Sequence, residues 1–158
     1  MAAPAVVARM RDLLGHVGAW APRAEQVATA KFLEDEAAVG EFRREMDARI
    51  VDRLQALHGG FARMKAEGLP VECVEPQGAI YLSLRLDLIG RRFAGRPIST
   101  NEEIRRLLID EAGLAVVPFQ AFGLKEETGW FRLSVGAVSM AEIAELFPRL
   151  RRVLGAAS

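Results

Sequence analysis

Val71-Glu-Cys-Val-Glu-Pro-Gln-Gly-Ala-Ile-Tyr-Leu-Ser-Leu-Arg-Leu86 is where the chain changes its hydrophobic period, and its reading decides the fold. Val71 to Glu75 is extended, and Pro76-Gln77-Gly78 is a turn. Ile80, Leu82, Leu84 and Leu86 then alternate with Tyr81, Ser83 and Arg85. A period of two sends the aliphatic side chains to one face of a strand and the other three to the opposite face. The stretch is therefore strand, turn, strand, with one side made for a core.

Downstream, Gly90 to Pro97 is a polar, arginine-bearing loop. Thr100-Asn-Glu-Glu103 is a capping-box signature, in which the threonine hydroxyl takes a backbone N–H while Glu103 reaches back. Ile104, Leu107 and Leu108 follow as a buried stripe, and Gly113 closes the helix. Leu114 to Val117 reads as a short apolar strand, and Pro118 to Gly129 as a glycine-containing loop. Trp130 to Val135 alternates again, with Phe131, Leu133 and Val135 on one face and Trp130, Arg132 and Ser134 on the other. Ser139-Met-Ala-Glu142 is a second capping box, leading into a terminal helix with Ile143, Phe147, Leu150 and Leu154. The order ββαββα predicts an α+β domain, a small, mainly antiparallel sheet with helices on one face.

Upstream, Phe42, Met46, Ile50, Leu54, Leu57, Phe61 and Met64 recur every three or four residues, which predicts one long helix from Ala38 to Glu67. Gly59-Gly60 weakens or bends it, since a glycine costs about 1 kcal/mol against alanine in a helix interior. Gly68 stops it and Pro70 prevents resumption. Pro4 to Leu14 reads as a short helix ending near Gly15, and Arg23 to Glu34 as a second, with Gly18 to Pro22 breaking the pattern between them. Alone, the first 37 residues cannot bury their apolar faces; they either pack onto the domain or need a partner.

Composition sets further bounds. The chain is 51% hydrophobic and 27% charged, as soluble globular proteins are. Acidic and basic residues number 21 each, so no net positive field draws nucleic acid or anionic lipid. The single Cys73 rules out an internal disulfide and a Cys-based metal site. No apolar run approaches a membrane span and no leader is evident, so a cytoplasmic location is expected.

Few residues suggest chemistry. His16 and His58 sit far apart on predicted helices without a carboxylate at metal-ligand spacing, Cys73 reads as a small core residue, and Glu34-Asp35-Glu36 as a solvated helix end. Arg132 is the exception. It lies mid-strand, on the face away from Phe131 and Leu133, where a guanidinium either forms a planar, bidentate pair with a ligand carboxylate or makes a salt bridge to a neighbouring glutamate.

Four segments, taken in order, carry a resemblance. Ala24-Glu-Gln-Val-Ala-Thr-Ala-Lys-Phe-Leu33 is similar to a helix with the pattern Q-x-A…A-L; Glu75-Pro-Gln-Gly-Ala-Ile-Tyr81 to P-x-G-A-F-Y; Leu107 to Pro118 with Ala121-Phe-Gly123 to L-L-x-E-x-G-V-x-V-x-P-G and its following F-G; and Gly129-Trp-Phe-Arg-Leu-Ser134 to G-x-x-R-L-S. Together they resemble the C-terminal part of class I/II, fold-type-I aminotransferases, which depend on pyridoxal phosphate. The resemblance implies an aminotransferase small-domain-like fold. Residues 1–37 would be a remnant of the large domain's C-terminal helices, 38–67 the domain-linking helix and 68–158 the small C-terminal domain. It implies further that Arg132 binds the carboxylate of an amino acid or 2-oxo acid.

Departures from the family pattern matter as much. The family's Schiff-base lysine lies before the first matched segment, and neither Lys31, Lys65 nor Lys125 stands in its motif context. The residues that hold the cofactor's ring and phosphate are also outside the match, and Phe119 stands where a glycine is usual. The resemblance therefore implies an aminotransferase fragment with no catalytic or metal-binding residue, no pyridoxal phosphate of its own and no activity alone. The alternatives are one half of a split enzyme that docks with a separate large domain, and a non-enzymatic carboxylate-binding module. Expected partners are that missing domain or a second copy held through exposed apolar surface; nucleic acid and membranes are not expected.

Overall fold

The computed structural model describes residues 3–18 and 21–158, so Ala19 and Trp20 of the expected Gly18–Pro22 break lie outside the described residues. The chain divides into two units, Met1–Glu45 and Met46–Ser158, with the division inside one helix.

The first unit holds α1 (Pro4–Val17), α2 (Arg23–Leu33) and the start of α3 (Glu36–Ala66). Helix α1 runs past Gly15 and ends at Gly18, whose φ of 73° lets its N–H reach the Leu14 carbonyl. Gly15 only lowers helix propensity; Gly18 supplies the left-handed cap that ends a helix. Helix α3 begins two residues before the expected Ala38 because the Asp35 carboxylate accepts the Ala38 N–H at 3.0 Å. No residue of α1 or α2 is buried: Val6, Val7, Met10 and Leu13 are exposed on α1, and Val27 and Leu33 on α2. Phe32 and Phe42 meet edge to face at 6.3 Å.

The second unit carries the sheet. Strands β1 (Val71–Cys73), β2 (Tyr81–Leu86), β5 (Val117–Pro118) and β6 (Trp130–Ser134) lie in the order β1-β2-β6-β5, each pair antiparallel. Their inner face presents Val71, Leu82, Leu84, Leu86, Phe131 and Leu133. Against it pack Leu57, Phe61 and Met64 of α3, Ile104 of α4 (Asn101–Leu107), and Ile143, Leu150 and Leu154 of α5 (Met140–Gly155). The expected α+β architecture, with helices on one face, is the observed one. Both capping boxes form: the Thr100 and Ser139 hydroxyls accept the N–H groups of Glu103 and Glu142, whose carboxylates return to the cap backbone.

Three local differences have physical causes. The expected loop Gly90–Pro97 contains the hairpin β3 (Arg92–Phe93) and β4 (Arg96–Pro97), turned through Ala94 and Gly95, both at positive φ. Arg92 also exchanges backbone hydrogen bonds with Ser158, at 2.7 and 3.1 Å. The helix after Thr100 passes from α4 into a π-helical turn, Leu108–Ala112, before Gly113 ends it. In the expected strand Leu114–Val117, only Val117 pairs, joined by Pro118, because Leu114 and Val116 turn into the core.

Helix α3 runs unbroken through Gly59 and Gly60, and Gly60 is buried for a reason of its own. A Cβ there would stand only 1.9 Å from the Phe147 ring of α5, so the missing side chain lets the two helices close. Phe147 in turn meets Phe61 edge to face at 5.5 Å. We expect Gly60→Ala to destabilise the protein by roughly 1–3 kcal/mol through overpacking. In a Phe147→Ala background the same change should instead be neutral, or stabilising by up to about 1 kcal/mol, because only the helix-propensity gain remains. A urea-denaturation double-mutant cycle reads both.

Surface carboxylates give a pH expectation. Hydrogen bonds from Arg105 and Arg106 hold the Glu102 pKa down from 4.5 to about 2, and Arg151 lowers that of Glu67. A depressed folded pKa stabilises the fold above the unfolded value, and the contribution disappears as pH falls through the folded one. The thermal midpoint should therefore decline between pH 4.5 and about 2, less steeply in Glu102→Gln.

Candidate functional site

The register of the sheet builds the site. Leu84 faces Phe131 and Ser83 faces Arg132 across β2 and β6, so the aliphatic residues of both strands go inward and the polar ones outward together. On its other side Arg132 faces Val117 of β5. Ser83 and Val117 are short, which leaves the guanidinium standing above the sheet beside longer diagonal neighbours.

Two rings lie against it, one from such a diagonal neighbour and one from outside the strands. The Tyr81 ring lies 4.3 Å from the Arg132 Cζ, and the Phe122 ring also lies at 4.3 Å. Each contact has the geometry of a cation–π interaction, worth about 0.5–1 kcal/mol where exposed. Among the described residues no carboxylate pairs with Arg132, so the salt bridge to a neighbouring glutamate does not form. Other arginines are engaged: Arg105 and Arg106 with Glu102, Arg151 with Glu67, and Arg85 with Asp87 at 3.5 Å. Held at 4.3 Å from two rings and without a carboxylate partner among the described residues, the guanidinium keeps a fork of N–H donors that can receive a carboxylate in the planar, bidentate geometry.

Phe122 reaches Arg132 from a 3₁₀ turn, Phe119–Phe122, which follows β5. Phe119 stacks on Trp130 with centroids 6.2 Å apart and meets Phe122 edge on at 6.3 Å. The segment after this turn is tied down by Asn101, 1% exposed at the start of α4. Its side-chain amide donates to Gln120 Oε1 at 2.9 Å, while its carbonyl oxygen accepts the Gly129 N–H at 2.8 Å. The Asn101 N–H donates to Glu127, and Gln120 donates to the Glu126 carbonyl at 2.7 Å. Gly129, at a φ of 73°, has no room for a side chain, since a Cβ would stand 2.2 Å from the Leu86 carbonyl oxygen.

The remaining sequence candidates lie elsewhere. Cys73 is half-buried in β1, and burial pushes its thiol up to about 11, which keeps it protonated near neutrality. His16 is exposed, with Nδ1 2.8 Å from the Asp12 carbonyl oxygen, and His58 is half-buried on α3. Lys31, Lys65 and Lys125 are all exposed, Lys65 paired with Glu72 at 2.9 Å. Among the described residues no group of three His, Cys, Asp or Glu could hold a metal ion, and no helix is long and apolar enough to cross a membrane.

Tyr81, Phe122 and Asn101 are absent from the residues singled out in the sequence. Alternation placed Tyr81 on the outer face of its strand, but not beside Arg132. Asn101 was visible only as a helix-start residue, and nothing local marks it as the tie between α4 and β6.

Comparison with known proteins places the chain in a family. The family model for aminotransferase class I and II matches residues 1–150. The chain is 40% identical over 86 residues to a probable aspartate/prephenate aminotransferase of Rickettsia bellii, covering 53% of this chain and 21% of that protein. It is 36% identical over 134 residues to an aspartate aminotransferase of Pyrococcus abyssi, covering 82% and 29%. Among solved structures, an aromatic aminotransferase from Pyrococcus horikoshii matches with a TM-score of 0.63 and 32% identity, over 82% of this chain and 31% of that one. The α-aminoadipate aminotransferase of Thermus thermophilus matches with a TM-score of 0.72 over 98% and 36%; at 20% identity it supports the fold alone. The chain thus spans 21–29% of the length of these two curated relatives.

Removing the Asn101 amide leaves the Gly129 N–H without its acceptor and the Gln120 Oε1 without its donor. Asn101→Ala should cost about 2 kcal/mol, the usual scale for an unsatisfied buried donor. Urea unfolding would read it, and a loss below about 0.5 kcal/mol would show that the amide carries little of the fold.

Proposed function

This chain belongs to the class I and II aminotransferases, and on that premise we propose that it is the C-terminal, substrate-holding part of such an enzyme. In this reading Arg132 takes the carboxylate of an amino acid or 2-oxo acid, and residues outside this chain supply the amino-transfer chemistry. Residues 1–37 belong with the large domain's C-terminal helices, 38–67 with the domain-linking helix and 68–158 with the small domain. The observation that carries the proposal is the state of Arg132: it stands on the outer face of the sheet, ring-clamped and without an ion pair among the described residues.

Pyridoxal phosphate is the cofactor of this family. The residues present do not fit it. A lysine that forms an imine near neutral pH needs a sheltered setting or a cationic neighbour to lower its pKa. Lys31 and Lys125 are exposed, and Lys65 is an exposed partner of Glu72. No catalytic step is assigned to this chain through the cofactor. Its own contribution is orientation: the in-plane fork fixes the carboxylate and so the direction of the ligand's α-carbon. The exposed apolar faces of α1 and α2 support a missing large domain as their cover.

The test uses the whole chain. Calorimetry with pyruvate should show weak binding that Arg132→Ala abolishes; equal binding by both proteins would overturn the role of Arg132. Pyridoxal phosphate followed by borohydride should leave no stoichiometric adduct at one lysine, and such an adduct would overturn the proposal that the chain holds no cofactor.

A further inference from the structure

The Arg132 clamp is held from behind by a row of rings. Arg132 contacts Phe122, Phe122 meets Phe119 edge on at 6.3 Å, and Phe119 stacks on Trp130 with an interplanar angle of 25°. Trp130 and Arg132 lie in the same strand, two residues apart on the same face. The row therefore starts and ends on β6 and closes a short bridge over its outer surface. Phe122 itself is 51% exposed, so burial does not fix its ring; the contacts of Phe119 and Arg132 are what locate it. Phe119 is the better anchored of the two, half-buried and followed by Gln120, which is bonded to Asn101 and to the Glu126 carbonyl.

The geometry points to Phe119 as a positioning residue for Arg132: braced on Trp130 and on the Asn101–Gln120 tie, it holds the Phe122 ring against the guanidinium and so fixes the plane in which a carboxylate is received. This rests on the carboxylate role proposed for Arg132. An arginine side chain loses considerable freedom when it forms two parallel hydrogen bonds, and a clamp already in place removes part of that cost before the ligand arrives. Phe119 touches no ligand in this scheme and acts only through Phe122.

Nitrogen-15 NMR of the arginine side chains in the full chain tests it. Two rings lying 4.3 Å from its Cζ should shift the Arg132 Nε–Hε resonance upfield, and Phe122→Leu, which removes one ring directly, gives the size of that ring's share. Phe119→Leu keeps apolar volume but removes the brace. It should move the resonance at least halfway toward the Phe122→Leu position, and Phe119→Tyr should restore it. Acetate titrated against the same resonance should bind about fivefold more weakly to Phe119→Leu than to the parent, as expected from losing one such ring contact. An unmoved resonance in Phe119→Leu, or acetate binding of unchanged strength, would overturn the positioning role alone. No response of the parent protein to acetate would overturn the carboxylate role of Arg132, whatever the ring shifts show. Melting curves of the three variants, expected to stay close to the parent's, keep a folding defect from imitating the result.

Discussion

The pairing of β2 with β6 is the constraint on which the rest of the structure depends. Leu82 faces Leu133 and Leu84 faces Phe131, so a single register fills the inner face of the sheet. A slip of one residue would send these side chains to solvent and bring Arg132 and Arg85 into the core, where an unpaired charge costs several kcal/mol. The same register that hides the leucines therefore stands Arg132 outward. Core formation and site formation are one event in this strand pair.

What the pairing leaves unspecified is settled by the arm between β5 and β6. Register places Arg132 and Tyr81 as neighbours, but Phe122 comes from a turn whose path depends on contacts distant in sequence. Asn101 supplies them, joining α4 to Gln120 and Gly129 with one side chain. Gly129 is required at its position twice over, by its positive φ and by the Leu86 carbonyl against it. The second ring over Arg132 is thus a tertiary product, whereas the first is a product of local strand geometry.

That contrast explains how much was legible in the sequence. Period-two and period-3.6 patterns report which face a side chain takes, so the sheet, the capping boxes and the outward direction of Arg132 could all be read from residues alone. The resemblance to the aminotransferases rested on four short strings and agrees with a family match over residues 1–150. Illegible were features set by meetings between elements. Gly60 looked like a weak point in a helix and is a seat for Phe147; Gly15 looked like a helix end, a role that belongs to Gly18. Arg132 left two readings open because spacing cannot tell whether a carboxylate comes near; rings from two separate segments occupy its flanks instead.

The Asn101–Gly129 hydrogen bond joins residues 28 positions apart. The pairing of β5 with β6 already brings the two ends of the arm together, so the amide has only the stretch between Pro118 and Gly129 to tie down. Residues 121–127 of that stretch are all exposed, and few buried apolar contacts are the mark of a locally less stable segment. The second ring over Arg132 therefore rests on a stretch with little apolar burial of its own, and its place depends on a polar tie at the far end of the arm.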